Sequence, residues 1–239
     1  MMVSSMSHSS FTMFGWQHGL TLLTILLLAL LIPSLIKASP SQKAVKPAAV
    51  LLALAILGFK AWEIAWYAGR GIPWVHLLPL HLCDAAALVS GIMLLTGNRF
   101  LFELNYFWGL GGTTQALLTP DLSEGFPSTG YFLFFISHGL VMLGLAFGLI
   151  VLRFRPTLKS ILRVFLATVA MSLLAGGVNA LAGTNYMYMA RKPDAATLLD
   201  YLGPWPWYVL AGYPVVLFFL FLVYSPFWVG DRIKQNRTR

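Results

Sequence analysis

The chain reads as an all-α, polytopic membrane protein, and three observations predict this. Hydrophobic residues make up 58% of its 239 residues and charged residues only 10%. A soluble domain carries roughly 25% charged residues, so this chain cannot cover a water-facing surface. Its mean hydropathy is +0.76, and apolar runs of about 20 residues recur along its length, the span needed to cross a hydrocarbon core of about 30 Å. The shorter alternating segments of a β-barrel are absent. A single integral membrane domain over residues 1–239 is the expected organisation.

Seven segments read as spans: Trp16 to Ile36, Pro47 to Gly69, Trp74 to Leu95, Phe100 to Leu118, Gly130 to Leu152, Ser160 to Gly183 and Trp205 to Trp228. The first has no basic region before it and is long for the core of a signal peptide, so it reads as a retained helix. The fourth is the weakest, because Glu103 and Asn105 interrupt its start. The sixth carries a small-residue stripe, Ser172, Gly176, Asn179 and Gly183, of the kind that packs helices closely with an interhelical hydrogen bond. Gly109 and Gly112 suggest the same in the fourth. The last span contains no lysine, which excludes a retinal Schiff base. No internal repeat is evident, which argues against an inverted-repeat transporter.

Charge supports the count. Lys37, Lys43, Lys46, Arg99, Arg153, Arg155, Lys159, Arg163, Arg232, Lys234, Arg237 and Arg239 fall on one side. Arg70, Arg191 and Lys192 fall on the other, with Asp121, Glu124, Asp194 and Asp200. Seven spans then put the N-terminus outside and the C-terminus in the cytoplasm. Trp205, Trp207 and Tyr208 mark the outer interface; Tyr224, Phe227 and Trp228 mark the inner one. The formal charge of +8 belongs to these loops and the tail, so no nucleic-acid partner is implied. A single cysteine permits no intrachain disulfide.

The most informative motif is Leu78-Pro79-Leu80-His81-Leu82-Cys83-Asp84. Ionisable groups are expensive in hydrocarbon, so a cluster of them within a span is a functional-site hypothesis. At 1.5 Å per residue, Cys83 and His138 each lie roughly 12 Å below the outer boundary. Glu63 and Asn179 lie roughly 6–9 Å below it. Gln115, Gln17 and His18 sit near outer helix ends. Polar groups from six helices thus share the outer half, while the inner half offers little beyond Glu103 and Asn105. His81 and Asp84, spaced i,i+3, share a helical face and can pair, whereas Cys83 lies about 200° from His81 at 100° per residue. His138 is the histidine at matching depth. A thiol in apolar surroundings is inert until an imidazole activates it. Cys83 as nucleophile and His138 as base is therefore the sharpest catalytic reading. The bland readings are a packed core thiol, a Lys60–Glu63 pair at i,i+3, an interfacial His18 and an Asn179 that serves only helix packing. No metal is expected, since His81 and Cys83 point apart, and no cofactor is implied.

These segments resemble the bacterial YwaF-like integral membrane proteins, relatives of the eukaryotic transmembrane protein 164 family. The matching stretches are LPLHLCD (Leu78 to Asp84), TGNR (Thr96 to Arg99) and YFWGLGGTTQALLTPD (Tyr106 to Asp121). They continue with FISHGL (Phe135 to Leu140), RFRPT (Arg153 to Thr157), GTNYM (Gly183 to Met187) and LLDYLGPWPW (Leu199 to Trp207). The resemblance covers nearly the whole chain, in order. It implies a bacterial cytoplasmic membrane location and an enzyme similar to acyltransferases that move a fatty acyl group onto a lyso-ether phospholipid, with a cysteine nucleophile matching Cys83. A more distant similarity reaches membrane lipid-ester hydrolases that pair a threonine and a histidine across helices, to which Cys83 and His138 correspond.

The expected function is thus a phospholipid acyltransferase or transacylase working through a cysteine acyl-thioester, with a phospholipid or lysophospholipid partner. His81 and Asp84 would orient the head group or the accepting hydroxyl. Gln115 or Asn179 would supply an oxyanion donor. Glu63 belongs to the same polar layer, and Asn185 lies in the Gly183 to Tyr188 segment over the outer mouth. The alternatives are a transporter or proton relay through His81, Asp84, Glu63 and His138, and a non-catalytic lipid-binding protein whose polar layer is packing glue.

Overall fold

The computed structural model describes residues 10–39, 42–193 and 197–237; Asp194 and Arg239 of the charge pattern lie outside the described residues. The described residues form helices and loops with no strand, apart from one isolated bridge between Ser10 and Glu124. The helices are α1 (Trp16–Ala38), α2 (Val45–Ala68), α3 (Leu82–Thr96), α4 (Arg99–Trp108), α5 (Thr114–Leu118), α6 (Thr129–Ile150), α7 (Leu158–Ala182) and α8 (Trp207–Arg237). A π-helical turn, Gly109–Thr113, joins α4 to α5. Five helices (α1, α2, α6, α7 and α8) are long and apolar enough to cross a membrane, and α3 is a shorter apolar helix. Their outward faces carry leucines such as Leu51, Leu166 and Leu173, all more than half exposed. That is the surface expected of a protein solvated by lipid.

The third expected span is corrected. Its helix begins at Leu82, not Trp74. Pro73 and Pro79 flank a single 3₁₀ turn, Trp74–His76. Proline lacks an N–H and holds the residue before it in extended conformation, so no helix runs through this stretch. His81 is the extended residue that precedes α3, with φ −78° and ψ 146°. At 15 residues, α3 is about 22 Å long, roughly 8 Å short of a hydrocarbon core. The fourth expected span is one continuous helical column, but the π turn breaks it into α4 and α5. The last begins at Trp207 rather than Trp205 and continues to Arg237.

α3 and α6 form the centre and run in the same direction. A methyl added at Gly144 of α6 would lie 2.1 Å from Ser90 Oγ of α3, and one at Gly148 would lie 3.5 Å from Met93 Cε. α2 runs against α3, with Gly91 pressed on Leu57. α4 also runs against α3 and donates a 3.2 Å hydrogen bond from Asn105 Nδ2 to Ser90 Oγ. α7 and α8 pack on the outer side of α4 through Trp108 Nε1 to Thr168 Oγ1 (2.9 Å) and Tyr106 Oη to the Val223 carbonyl (2.9 Å). The end of the bundle holding the first residues of α1, α3 and α6 is called the upper end here.

Polar groups also occupy the lower half. Arg163 Nη2 donates to Glu103 Oε1 at 2.6 Å, beside the Asn105–Ser90 and Trp108–Thr168 pairs. The sequence-based expectation of a nearly empty lower half is therefore too spare. Each makes an interhelical bond, as buried polar groups that hold a bundle together do, although Glu103 Oε2 and Asn105 Oδ1 have no hydrogen-bond partner among the described residues.

Candidate functional site

Because α3 starts late, its first turn lies inside the bundle rather than at its surface. Cys83 and Asp84 occupy that turn, and no side chain caps its N–H groups. Non-helical backbone at membrane depth persists only where protein or a water-filled cavity satisfies it. Here Tyr186 does part of that. Its hydroxyl donates to the Val75 carbonyl at 2.8 Å and accepts from the Leu78 N–H at 3.0 Å.

Cys83 points at the π turn. A methyl added to Gly112 would sit 3.9 Å from its Sγ and 3.7 Å from Leu82 Cβ. Thr113 is fully buried, and its hydroxyl interacts with the thiol but has no hydrogen-bond partner within geometric limits. Inserted π turns recur at functional sites because the extra residue redirects side chains and frees backbone groups. Gly109 and Gly112 therefore build this turn; the tight glycine contacts are at Gly91, Gly144 and Gly148.

His138 lies on α6. Its Nδ1 donates to the Phe134 carbonyl at 2.7 Å, and its ring stacks on Phe134 at 4.1 Å. With the proton on Nδ1, Nε2 carries a free lone pair. The Ser90–Gly144 contact sets the register of two parallel helices. Two turns above Ser90 is Cys83, and two turns above Gly144 is Ser137, next to His138, so thiol and imidazole share one level. Val141 and Leu145, below His138 on the same helix face, contact the start of the π turn at Gly109. No hydrogen bond joins Cys83 to His138 among the described residues.

Asp84 is not paired with His81. It turns to α2, where Lys60 Nζ bridges Asp84 Oδ1 (2.6 Å) and Glu63 Oε2 (2.5 Å). Ser137 Oγ approaches Glu63 Oε2 at 3.5 Å. The i,i+3 pair of Lys60 and Glu63 thus exists and recruits a third member from α3. His81 faces the other way because it lies outside the helix. Its Nδ1 accepts the Met187 N–H at a long 3.5 Å, and its ring packs 5.0 Å from Tyr186.

The remaining candidates are spread out. Asn179 Nδ2 donates to the Tyr186 carbonyl, while its Oδ1 accepts from the Tyr186 N–H and Thr184 Oγ1. That carboxamide serves its own loop, leaving an oxyanion role unsupported. In its stripe, Ser172 makes the interhelical bond, 2.8 Å to Tyr213 Oη. Gln115 is exposed and donates to Thr119 Oγ1. Asn185 organises the loop 185–191, accepting from the Ala190 and Arg191 N–H groups. His18 is buried rather than interfacial. It accepts from the Phe14 N–H and meets the Leu117 carbonyl at 2.9 Å, tying α1 to α5.

The same loop holds Met187 and Tyr188 at left-handed φ of 54° each. Such backbone is strained for side chains other than glycine and persists only where neighbours impose it. Tyr208, itself buried, donates to the Tyr188 carbonyl at 2.6 Å. Burial pushes the Tyr186 and Tyr188 phenols up from their ordinary values, so both stay protonated donors. Sequence reading missed Thr113, the bridging role of Lys60, and the His76, Tyr188 and Arg191 side chains that line this end. Thr113 lies within the glycine-rich run Gly109 to Thr114, but nothing there announces a π turn. No group of three or more metal-binding side chains occurs among the described residues.

An uncharacterized protein of Treponema pallidum (strain Nichols) is 28% identical over 157 residues. The match covers 66% of this chain and 65% of that relative, so the chain spans about two thirds of the relative's length. No solved structure matches. Residues 13–224, which hold every element of the site just described, match the TMEM164 family. The chain belongs to the TMEM164 family.

Proposed function

We propose that this protein is a membrane-embedded lipid acyl transfer enzyme, with Cys83 as nucleophile and His138 as its base. The observation that supports it best is the shared level of Cys83 and His138, with the thiol turned toward the π turn. In this reading the bundle spans the membrane seven times, with the N-terminus outside, the C-terminus in the cytoplasm and the site in the outer-leaflet half. The two spans beyond the five long ones are α3 and the α4–α5 column.

His138 Nε2 accepts the thiol proton as Cys83 Sγ attacks the ester carbonyl of a phospholipid. The uncapped N–H groups of the α3 first turn serve the developing oxyanion, as preorganised donors do in acyl transfer. The carbon–oxygen bond breaks, His138 returns its proton to the departing alkoxide, and a lysolipid leaves an acyl-thioester on Cys83. The hydroxyl of a second lysophospholipid, or water, then attacks the thioester. His138 takes that hydroxyl proton and passes it to the departing thiolate, restoring the enzyme. The acyltransferase chemistry implied by the family resemblance agrees with this assignment.

The test is Cys83→Ala in proteoliposomes, read by acyl transfer between phospholipid and lysophospholipid and by thiol-directed probe labelling. Loss of both is expected. Undiminished transfer by the variant rules the thioester out.

One observation favours a second reading. Lys60, Glu63, Asp84 and Ser137 form a polar chain across α2, α3 and α6, with Lys60 buried and Asp84 partly exposed, a composition suited to a proton relay. Proteoliposome proton flux that needs Asp84 but not Cys83 would support transport over acyl transfer.

A further inference from the structure

Above Cys83, His76, His81, Thr184, Asn185, Tyr188 and Arg191 line a cavity of about 290 Å³. This lies at the small end of ligand pockets, room for a head group but not a whole lipid. Its lining is rich in donors and poor in acceptors. The Arg191 guanidinium, the His76 imidazole and the Tyr188 hydroxyl have no hydrogen-bond or ion-pair partner among the described residues. His81 Nδ1 faces the Met187 N–H at 3.5 Å, and its Nε2 has no partner among the described residues. No carboxylate is among the lining residues.

Several donors beside an arginine call for an anion with several acceptor oxygens. Arginine in particular matches the fork geometry of phosphate. The walls are set rather than loose. Asn179 holds Tyr186 through two bonds, Asn185 binds the loop back at Arg191, and Tyr208 pins Tyr188. Exposed Tyr201, Trp205 and Trp207 lie in the neighbouring segment, and such rings favour the head-group level. His81 lines the cavity and stands two residues before Cys83. In a glycerophospholipid only a few bonds separate phosphorus from the ester carbonyl carbons.

The geometry points to a binding site for the phosphate group of a glycerophospholipid, held by Arg191, His76, His81 and Tyr188 so that an ester faces Cys83. This rests on the acyl-transfer reading for the role of the bound lipid, but the phosphate site is tested by binding alone. The protein carrying Cys83→Ala, purified in maltoside detergent, is titrated calorimetrically with dihexanoylphosphatidylcholine, dihexanoylglycerol and inorganic phosphate. Saturable binding of the phospholipid is expected, at least tenfold tighter than either of the others. Adding Arg191→Ala or His76→Ala is expected to weaken it at least tenfold, with partial rescue by Arg191→Lys. Unchanged thermal unfolding of these exposed-site variants shows that folding is not the cause.

Equal binding of dihexanoylglycerol overturns the proposal, as do affinities within twofold for both alanine variants. Inorganic phosphate binding as tightly as the lipid assigns the site to the free anion and overturns the lipid source. Turnover that depends on Cys83 without this binding defeats the phosphate site alone. Binding without Cys83-dependent turnover defeats the thioester alone.

Discussion

The upper and lower halves of the bundle use the same helices in opposite ways. In the lower half the helices are regular and their backbones approach closely. Gly144 lies against Ser90 and Gly148 against Phe102, where an added methyl would come within 2.1 and 2.8 Å of its neighbours. In the upper half, regularity fails at one level. α3 starts late, α4 turns through a π bulge, and the loop after α7 takes left-handed backbone. The lower half gains packing from small residues. The upper half gives up packing and gains free donors and the only thiol in the chain. Departures from the helical rule gathered at a single level are the kind expected of functional or strained sites, and the proposed site sits among them.

Substitutions in the two halves are expected to separate activity from stability. The largest effect falls on activity: His138→Ala should lower acyl transfer about 10²- to 10⁴-fold, the usual worth of a positioned base. Its melting temperature should stay close to that of the parent. Equal losses of activity and folded fraction would make His138 structural.

Next comes Lys60→Met, which leaves two partly buried carboxylates without their buried cation. Breaking a buried pair this way costs roughly 3–5 kcal/mol, read by denaturant unfolding in detergent. Adding Glu63→Gln and Asp84→Asn should recover most of it. Failure to recover would mean that the lysine stem, not its charge, holds α2 to α3.

A smaller loss is expected in the lower half. Gly144→Ala drives a methyl into Ser90 Oγ, displacing the hydroxyl that Asn105 Nδ2 binds. Overpacking of this kind costs about 1–3 kcal/mol, and transfer per folded molecule should be retained. A selective loss of transfer would show that the lower half sets the register of the site.

The smallest effect on stability is expected for Thr113→Val. Removing an unpartnered buried hydroxyl is close to neutral, within about 1 kcal/mol. A fall in transfer without a fall in melting temperature would give that hydroxyl a part beside Cys83.

Much of the scaffold was legible because its signals are local. Apolar run length marked most helix ends to within a few residues, but not the start of α3, the break between α4 and α5 or the far end of α8. The i,i+3 spacing foretold the Lys60–Glu63 pair. Depth counting put Cys83 and His138 at one level, as the Ser90–Gly144 register also does, although the count began from a helix start that is wrong. The lower end of α3 is fixed by Gly97 at φ 65° and the Asn98 cap, which close one helix and open the next. His81 was misjudged for the same reason: helical spacing has no meaning for a residue outside the helix.

The sequence by itself determined that the chain suits a lipid environment and where most of its helices run, and it offered candidate residues for chemistry. Those properties follow from hydropathy and residue type, position by position. Only the tertiary structure decided the neighbours: Lys60 for Asp84, the π turn for Cys83, Tyr186 for the backbone before α3, and the donors gathered around Arg191. Each joins segments distant in the chain. Inside a low-dielectric bundle, a polar group takes whichever partner the packing brings near, because remaining unpaired costs more than any local preference is worth.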